Sequence, residues 1–333
     1  MCKVRNSLYI YQNGELKRND NTLQFVNPDG VKRSIPINNV SEIYLFGDNI
    51  FNSKLIDFLS RNDVLVHFFN YYSYYSASLI PKKSKVSGKL LVNQVIHYSD
   101  NEKRLKLAKQ FVLSAANNIY RNLRYYNGRG KNVSQEMRKI QLLISKINDC
   151  NAIHQLMGIE GNIHKIYYRS WKTIINQDID FDKRVKRPPD NMVNTLISFS
   201  NSLVYTTVLS EIYKTQLDPT ISFLHEPGVS RFSLSLDIAE IFKPIIADRL
   251  IFSLLNRNQI QDKHFTKGLE YLHLDENGSK IILSEYDKRL KQTINHKELN
   301  KEVSYRYLIR LECYKLIKHL YGEKEYDSFV IWW

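Results

Sequence analysis

Two periods divide the chain. Over the first eighty residues, apolar and polar side chains alternate in short runs punctuated by turn residues. Ser7-Leu8-Tyr9-Ile10-Tyr11 predicts a strand, and Asn13-Gly14 behind it predicts a hairpin-type turn. Thr22 to Val26 alternates again, Pro28-Asp29-Gly30 supplies turn chemistry, and Val31 to Ile37 and Glu42 to Phe46 continue the strands. Ser53 to Ser60 fits a short helix with Leu55, Ile56, Phe58 and Leu59 as its apolar positions. Val64 to Phe69 reads as a buried strand, and Tyr74 to Ile80 closes the region.

Residues 81–89 hold four lysines, two serines, a proline and a glycine, the composition of an exposed linker. Beyond them the apolar period becomes helical. Leu105, Ala108, Val112, Ala115, Ala116, Ile119 and Leu123 recur at three- and four-residue steps along Arg104 to Arg124. Further helices are expected over Gln135 to Ile147, Ile153 to Ile175, Met192 to Lys214, Leu236 to Leu255, Lys280 to Ile294 and Val303 to His319. No repeat of solenoid period interrupts them. The fold class expected is α+β: a small β-rich N-terminal domain over residues 1–80, a linker over 81–89 and a larger all-helical domain over 90–333.

Composition narrows the partner. The 333 residues are 43% hydrophobic and 25% charged, the balance of an ordinary folded protein. Lys and Arg total 48 against 34 Asp and Glu, a net charge of +14, which favours a polyanion such as nucleic acid or an acidic membrane surface. Cys2, Cys150 and Cys313 form no CxxC pair, so neither a disulfide framework nor a cysteine zinc site is expected. The N-terminus carries no signal-like apolar core, and no run reaches the ~18 apolar residues of a membrane span. A soluble, cytoplasmic protein is expected.

Four residues attract attention as chemistry. Glu160 lies in Met157-Gly158-Ile159-Glu160-Gly161-Asn162, a carboxylate in an apolar run between glycines, with Ile163, His164 and Tyr167 on the same helical face. Partly buried, it needs a cation or a metal; at an exposed helix start, the helix dipole alone would favour it. Asp237 and Glu240 are three apart and can share one face, where two carboxylates call for a hard cation such as Mg²⁺ or Mn²⁺. Asp237 could instead cap its helix, with Glu240 completing a capping box. His225 precedes a Pro-Gly turn fifteen residues before Glu240, and that turn could fold it back onto the helix; alone it could equally be structural. Glu160 and His164, four apart and with His154 nearby, could form half of a zinc site, but no HExxH motif accompanies them.

Three basic groups could neutralise phosphates. They are Lys183-Arg184-Val185-Lys186-Arg187 before two prolines, Arg121 with Arg124, Arg129 and Lys131, and Lys288 with Arg289 and Lys291. Each could also be a solvated face. The Tyr71-Tyr72-Ser73-Tyr74-Tyr75 run could stack on bases or pack an interface.

Taken in order, Met157 to Asn162, Arg187-Pro188-Pro189-Asp190 with Val193-Asn194, Phe223-Leu224-His225-Glu226 and Ser233 to Pro244 resemble the motifs of the CRISPR adaptation integrase family, the endonucleases that insert new spacers. The resemblance runs along essentially the whole chain. Phe68-Phe69-Asn70-Tyr71-Tyr72 and an Arg-rich C-terminal helix ending in Trp332-Trp333 look like the branch found with Cascade-type (type I) systems. The resemblance implies a homodimer formed through the β-domain. It implies two such dimers flanking a dimer of a small ferredoxin-like adaptation protein in a heterohexamer. It implies double-stranded DNA, both spacer precursor and repeat array, as substrate. Glu160, His225 and Glu240 match the family's ligands for Mg²⁺ or Mn²⁺, and Asp237 matches an acidic position beside them. A structure-selective nuclease of branched DNA and a non-catalytic DNA-binding scaffold remain as alternatives.

Overall fold

The computed structural model describes residues 5–70, 75–82, 85–185, 189–229, 231–267, 272–296 and 298–332. It divides into two compact units, Met1–Ser84 with His273–Leu283, and Lys85–Leu272 with Ser284–Trp333. The first differs from the sequence expectation in taking residues 273–283 away from the second. The Tyr71–Tyr74 part of the tyrosine run, Lys186–Pro188 and Trp333 lie outside the described residues.

The strand-rich unit is built from β1 (Asn6–Ile10), β2 (Gly14–Asn19), β3 (Thr22–Val26), β4 (Lys32–Pro36), β5 (Val40–Leu45), β6 (Asn49–Ile50), α1 (Ser53–Arg61), β7 (Leu65–Phe69) and β8 (Tyr75–Leu79). They form two four-stranded sheets, ordered β1-β5-β7-β8 and β4-β3-β2-β6. β1, β5 and β7 run parallel, and α1 lies in the crossover that a parallel β5–β7 connection requires. Leu55, Phe58 and Leu59 of α1 join Ile10, Ile43 and Val66 of the strands in one buried cluster.

Asn13-Gly14 is not the hairpin its sequence suggests. β1 pairs with β5, and at Gly14 the chain leaves one sheet to begin the other. The Gly14 N–H donates to the Asp48 carbonyl at 3.1 Å, and Asn13 Oδ1 accepts from the Asp48 N–H at 2.9 Å. A Cβ at Gly14 would lie 2.4 Å from the Val26 carbonyl oxygen, so close backbone approach is what requires the glycine.

The second unit contains α2 (Gly88–Ser99), α3 (Asn101–Asn127), α4 (Ser134–Ser145), α5 (Ile153–Ile174), α6 (Met192–Tyr213), α7 (Ser233–Lys243) and α8 (Arg249–Asn256), then β9 (Phe265–Lys267). β10 (Leu272–Leu274) and the first half of α9 (Glu276–Lys291) fall to the first unit over residues 273–283; the rest of α9, β11 (Thr293–His296), β12 (Lys301–Ser304) and α10 (Tyr305–Leu320) complete the second. The larger helical domain is as expected, with one addition: β11 and β12 pair as an antiparallel ribbon. α2 starts inside the expected linker, where the Ser87 hydroxyl caps it by accepting from the Leu90 N–H at 3.2 Å. The C-terminal helix does not reach Trp332. It stops at Leu320 ahead of Gly322, whose φ of +75° ends it, and the following segment packs on α3, with the Ile331 N–H donating to Asn118 Oδ1 at 2.8 Å.

One expected helix, Leu236 to Leu255, is a single rod with a fault in it. Pro244 has no N–H to offer the carbonyl of residue 240, and the backbone widens into a π-helical turn over Pro244–Asp248 between α7 and α8. The fault falls one turn after Glu240. No helix among the described residues is long and apolar enough to cross a membrane.

Candidate metal centre

Three segments of the second unit converge: the middle of α5, the middle of α7 and the loop between α6 and α7. α5 starts at Ile153, so Glu160 stands two turns inside it, half-buried, and is not an exposed residue at a helix start. A Cβ at Gly158 or Gly161 would meet nothing within 4 Å, so the flanks of Glu160 are open to a large partner. α7 starts at Ser233 with no side-chain cap, which places Asp237 and Glu240 within the helix. The capping alternative for Asp237 is thereby removed.

Ligand-capable atoms of Glu160, His164 and Glu240 all lie within 4.8 Å of one another. His164 Nε2 is 3.7 Å from Glu240 Oε2, and Lys243 Nζ donates to Glu240 Oε1 at 2.5 Å. His225 faces this cluster closely enough for its charge to act on both Glu160 and Glu240. Its ring is fixed from behind: Asp237 Oδ1 bonds His225 Nδ1 at 2.8 Å and accepts the His225 N–H at 3.0 Å. Asp237 Oδ2 accepts the Phe223 and Leu224 N–H groups at 2.6 and 3.0 Å. Fully buried, Asp237 thus spends both oxygens on holding the loop and leaves His225 Nε2 as the ring nitrogen available for other work. The fold-back of His225 onto the helix is realised, through Asp237.

The two glutamates respond differently to burial. Burial, then the charge of Glu240, raises Glu160 from its ordinary 4.5 to about 7, despite the pull of His225 and Lys243. Burial also pushes Glu240 upward, but Lys243, His164 and His225 outweigh it and hold the carboxyl at about 2. For His225, burial opposes charging, yet the Asp237 hydrogen bond and charge raise it above its ordinary value. One glutamate carries a fixed negative charge, and ionisation of its neighbour is opposed by burial first and by that charge second. A divalent cation between them would remove the conflict, and two carboxylates with imidazole suit a hard or borderline ion. The donor set therefore fits a metal.

Sequence reasoning gave His164 a place only in the zinc alternative, yet the structure sets it against Glu240; its i+4 spacing from Glu160 was the usable signal. His154 is exposed and stands outside the cluster. Lys243, one turn from Glu240, carries no chemical signal of its own in the sequence and is placed by the fold beside that carboxylate. Arg184, counted among the phosphate-binding candidates, is structural: it donates to Asn194 Oδ1 at 3.0 Å and to Ser198 Oγ at 2.8 Å.

Comparison with known proteins bears on this geometry. The profile of the family described as CRISPR associated protein Cas1 matches residues 8–288. A CRISPR-associated endonuclease Cas1 from Fusobacterium nucleatum is 56% identical over 330 residues, spanning 99% of this chain and 98% of its own. A second, from Thermodesulfovibrio yellowstonii, is 50% identical over 99% of this chain and 100% of its own. Among solved structures, a Cas1 protein from Thermotoga maritima superposes with a TM-score of 0.86 at 38% identity, covering 97% of this chain and 100% of that one. A casposase bound to its integration product shares the fold, with a TM-score of 0.84 at 21% identity over 96% of this chain and 92% of that one. The chain belongs to the Cas1 family of CRISPR-associated proteins.

Proposed function

We propose that this chain acts in CRISPR spacer acquisition as a metal-dependent DNA endonuclease and integrase, inserting DNA fragments at repeat boundaries. The observation that carries the reading is the meeting of Glu160, His164 and Glu240 atoms within 4.8 Å beside the open glycine flanks of α5. Glu160, His225 and Glu240 would hold Mg²⁺ or Mn²⁺, as the motif resemblance implies, and His164, whose ligand atom lies within 4.8 Å of those of both glutamates, would stand with them. Such an ion, when bound, polarises a phosphoryl oxygen and stabilises charge on the entering or leaving oxygen.

The chain's own residues do the rest. Asp237 is a positioning residue: it fixes the His225 ring and the backbone of residues 223–225, so the imidazole needs no reorganisation when it binds. Lys243 balances Glu240 and brings positive charge to where a phosphate oxygen would arrive. A DNA 3′-hydroxyl gives up its proton as it attacks the phosphodiester, the new P–O bond forms as the old one breaks on the opposite side, and the leaving 3′-oxygen takes up a proton, so that none is gained or lost overall. One phosphodiester replaces another, so no nucleotide cofactor is needed. Water in place of the hydroxyl gives cleavage.

The same reading extends to assembly: a cytoplasmic homodimer, a heterohexamer with a small ferredoxin-like adaptation protein, double-stranded DNA as substrate, and membership of the type I branch. These rest on the motif resemblance and the net charge of +14. A strand-transfer assay with a repeat-bearing plasmid and Mg²⁺ or Mn²⁺ tests the reaction. Joined product is expected from the wild type and not from Glu160→Ala, with salt-sensitive DNA binding retained by both. Cleavage without any joined product would establish the branched-DNA nuclease instead, and metal-independent behaviour unchanged in Glu160→Ala would leave a scaffold.

A further inference from the structure

Two of the basic groups that the sequence singles out, and that the metal centre does not use, come together elsewhere in the helical unit. Arg129 and Lys131, just past α3, meet Arg289 from α9 around a recess of about 800 Å³, and Arg249 from α8 and Arg257 just past that helix complete its wall. Five cations thus face one cavity, and no carboxylate is among the described residues lining it.

What four of the five touch is neutral. Lys131 Nζ donates to Asn176 Oδ1 at 2.6 Å, Arg249 Nε to Asn122 Oδ1 at 2.7 Å, and Arg289 Nε to the Ile245 carbonyl at 3.0 Å. The Arg129 guanidinium lies 4.7 Å over the Tyr125 ring. None of the five makes an ion pair among the described residues. Their sequence neighbours behave otherwise: Lys288 is 2.6 Å from Glu285, and Lys291 is 2.6 Å from Asp287. Burial, with the charge of Arg249 added, pushes the Arg289 guanidinium down to about 10, the response of a cation whose counterion is not supplied by the chain. Self-repelling cations brought together without an acid need an anion from solution.

The shape says which anion. Tyr125, half exposed and already stacked on Arg129, offers an aromatic face at the mouth, and Tyr126 lines the recess beside it. Guanidinium forks match phosphate oxygens, and the ring face accepts an unpaired base. The recess is open to solvent, and its volume of about 800 Å³ falls within the roughly 300–1,000 Å³ of small-ligand clefts, room for a nucleotide. The site is separate from the carboxylates: Arg249 follows Glu240 by nine residues on the α7–α8 rod, on the order of 13 Å away at 1.5 Å per residue.

We propose that this recess is a binding site for a phosphorylated nucleotide, with the five cations on its phosphate and Tyr125 on its base. The nucleotide can come from single-stranded DNA or from a free mononucleotide. The inference does not depend on the integration reading, because the binding needs no metal.

The test uses the full chain in EDTA, with a fluorescent single-stranded oligonucleotide in one arm and a labelled deoxynucleoside monophosphate in the other. Arg129→Ala/Arg257→Ala removes two exposed cations without touching the core. It is expected to weaken oligonucleotide binding at least tenfold and to lower the slope of log affinity against log salt by about 1.4, two contacts at ~0.7 each for single strands. Tyr125→Ala is expected to weaken binding with the salt slope unchanged. Lys288→Ala, an ion-paired neighbour outside the recess, is expected to match the wild type. Loss in the oligonucleotide arm alone identifies a strand site, and loss in both arms a nucleotide pocket that a strand end can also fill; either outcome supports the proposal. If the double variant binds both probes within twofold of the wild type, or if Lys288→Ala loses as much, the proposal is overturned. Glu160→Ala runs beside them: it should bind both probes normally, so a failure of the metal centre and a failure of the recess give different results.

Discussion

Glu160 and Glu211 are glutamates of the same unit, one half-buried and the other fully buried, and the cations around them separate the two further. Glu211 on α6 is fully buried, and the chain brings it three cations: Lys214 at 2.8 Å, Arg310 at 2.7 Å and Arg306 at 3.7 Å. Burial alone would raise its carboxyl, but those charges outweigh burial and hold it below the ordinary value. Among the described residues Glu160 makes no ion pair, although the His164 ring lies close by. The two cations whose charge reaches it are engaged by others, His225 with Asp237 and Lys243 with Glu240, and its carboxyl rises to about 7. A buried acid whose countercharge is built into the chain holds the fold together. A buried acid whose countercharge must come from solution is a place for a ligand.

Removing the two acids should therefore damage different things. Glu160→Gln keeps the shape and deletes the charge. Metal-dependent strand joining is expected to fall by roughly a thousandfold or more, about 4 kcal/mol of transition-state stabilisation. Thermal unfolding in chelator should show a fold at least as stable as the wild type, because a strained charge has gone. A variant that joins DNA normally would place the metal elsewhere.

Glu211→Gln should do the reverse. It leaves Arg310, Arg306 and Lys214 facing one another around a neutral amide, and breaking a buried pair of this kind costs about 3 kcal/mol. Urea unfolding should show that loss in the midpoint, while the fraction that remains folded joins DNA at the wild-type rate. Equal stability would mean that the three cations relax into solvent at little cost.

Asp237→Asn sharpens the same contrast from the side of the loop. The aspartate accepts three backbone N–H groups and the His225 ring, and an amide can offer only one oxygen to those donors. Affinity for Mn²⁺, read by titration calorimetry, is expected to fall by about 10- to 100-fold, as for other groups that orient a ligand from behind. A variant with unchanged Mn²⁺ affinity would reduce Asp237 to a loop clamp with no bearing on the site.

How far all this can be read from the sequence depends on the range of the signal. α3 and α5 are legible because their apolar positions recur at helical spacing over many turns, β3 and β8 because they alternate between turn residues, and β7 because it is a short, nearly continuous apolar run. The Asn13-Gly14 turn misleads because local turn chemistry cannot say which strand β1 will pair with; the parallel partner, β5, starts thirty residues after β1 ends. The β11–β12 ribbon is too short for its period to show against the helices around it. At the site, Glu160, His225 and Glu240 are individually ambiguous and become legible only through the ordered motifs around them. His164 was visible in its spacing but not in its company, since only the folded chain sets α5 against α7. The recess was harder still: its five cations come from three separate stretches, and nothing local marks Arg249 and Arg257 as partners of Arg129.

The smallest expected effect is also the one that sets the two glutamates directly against each other, because their pH dependences have opposite signs. The folded value of Glu160 is raised. Below its ordinary 4.5 it is protonated in both folded and unfolded chains and contributes nothing; as pH climbs from 4.5 to about 7 the unfolded chain releases its proton first, and stability falls. The folded value of Glu211 is lowered. Its contribution is present above the ordinary glutamate value and is lost as pH drops through the folded one. In chelating buffer, the stability of Glu160→Gln relative to the wild type should therefore grow between pH 4.5 and 7, by about 1–2 kcal/mol after allowance for solvent screening. The deficit of Glu211→Gln should shrink as the pH is taken below 4.5. Adding Mn²⁺ at pH 7 should abolish the first slope, since the ion takes the place of the proton, and leave the second untouched. Two variants that respond to pH in the same direction would mean that Glu160 already has a countercharge in the folded chain, and the distinction drawn between the two acids would fail.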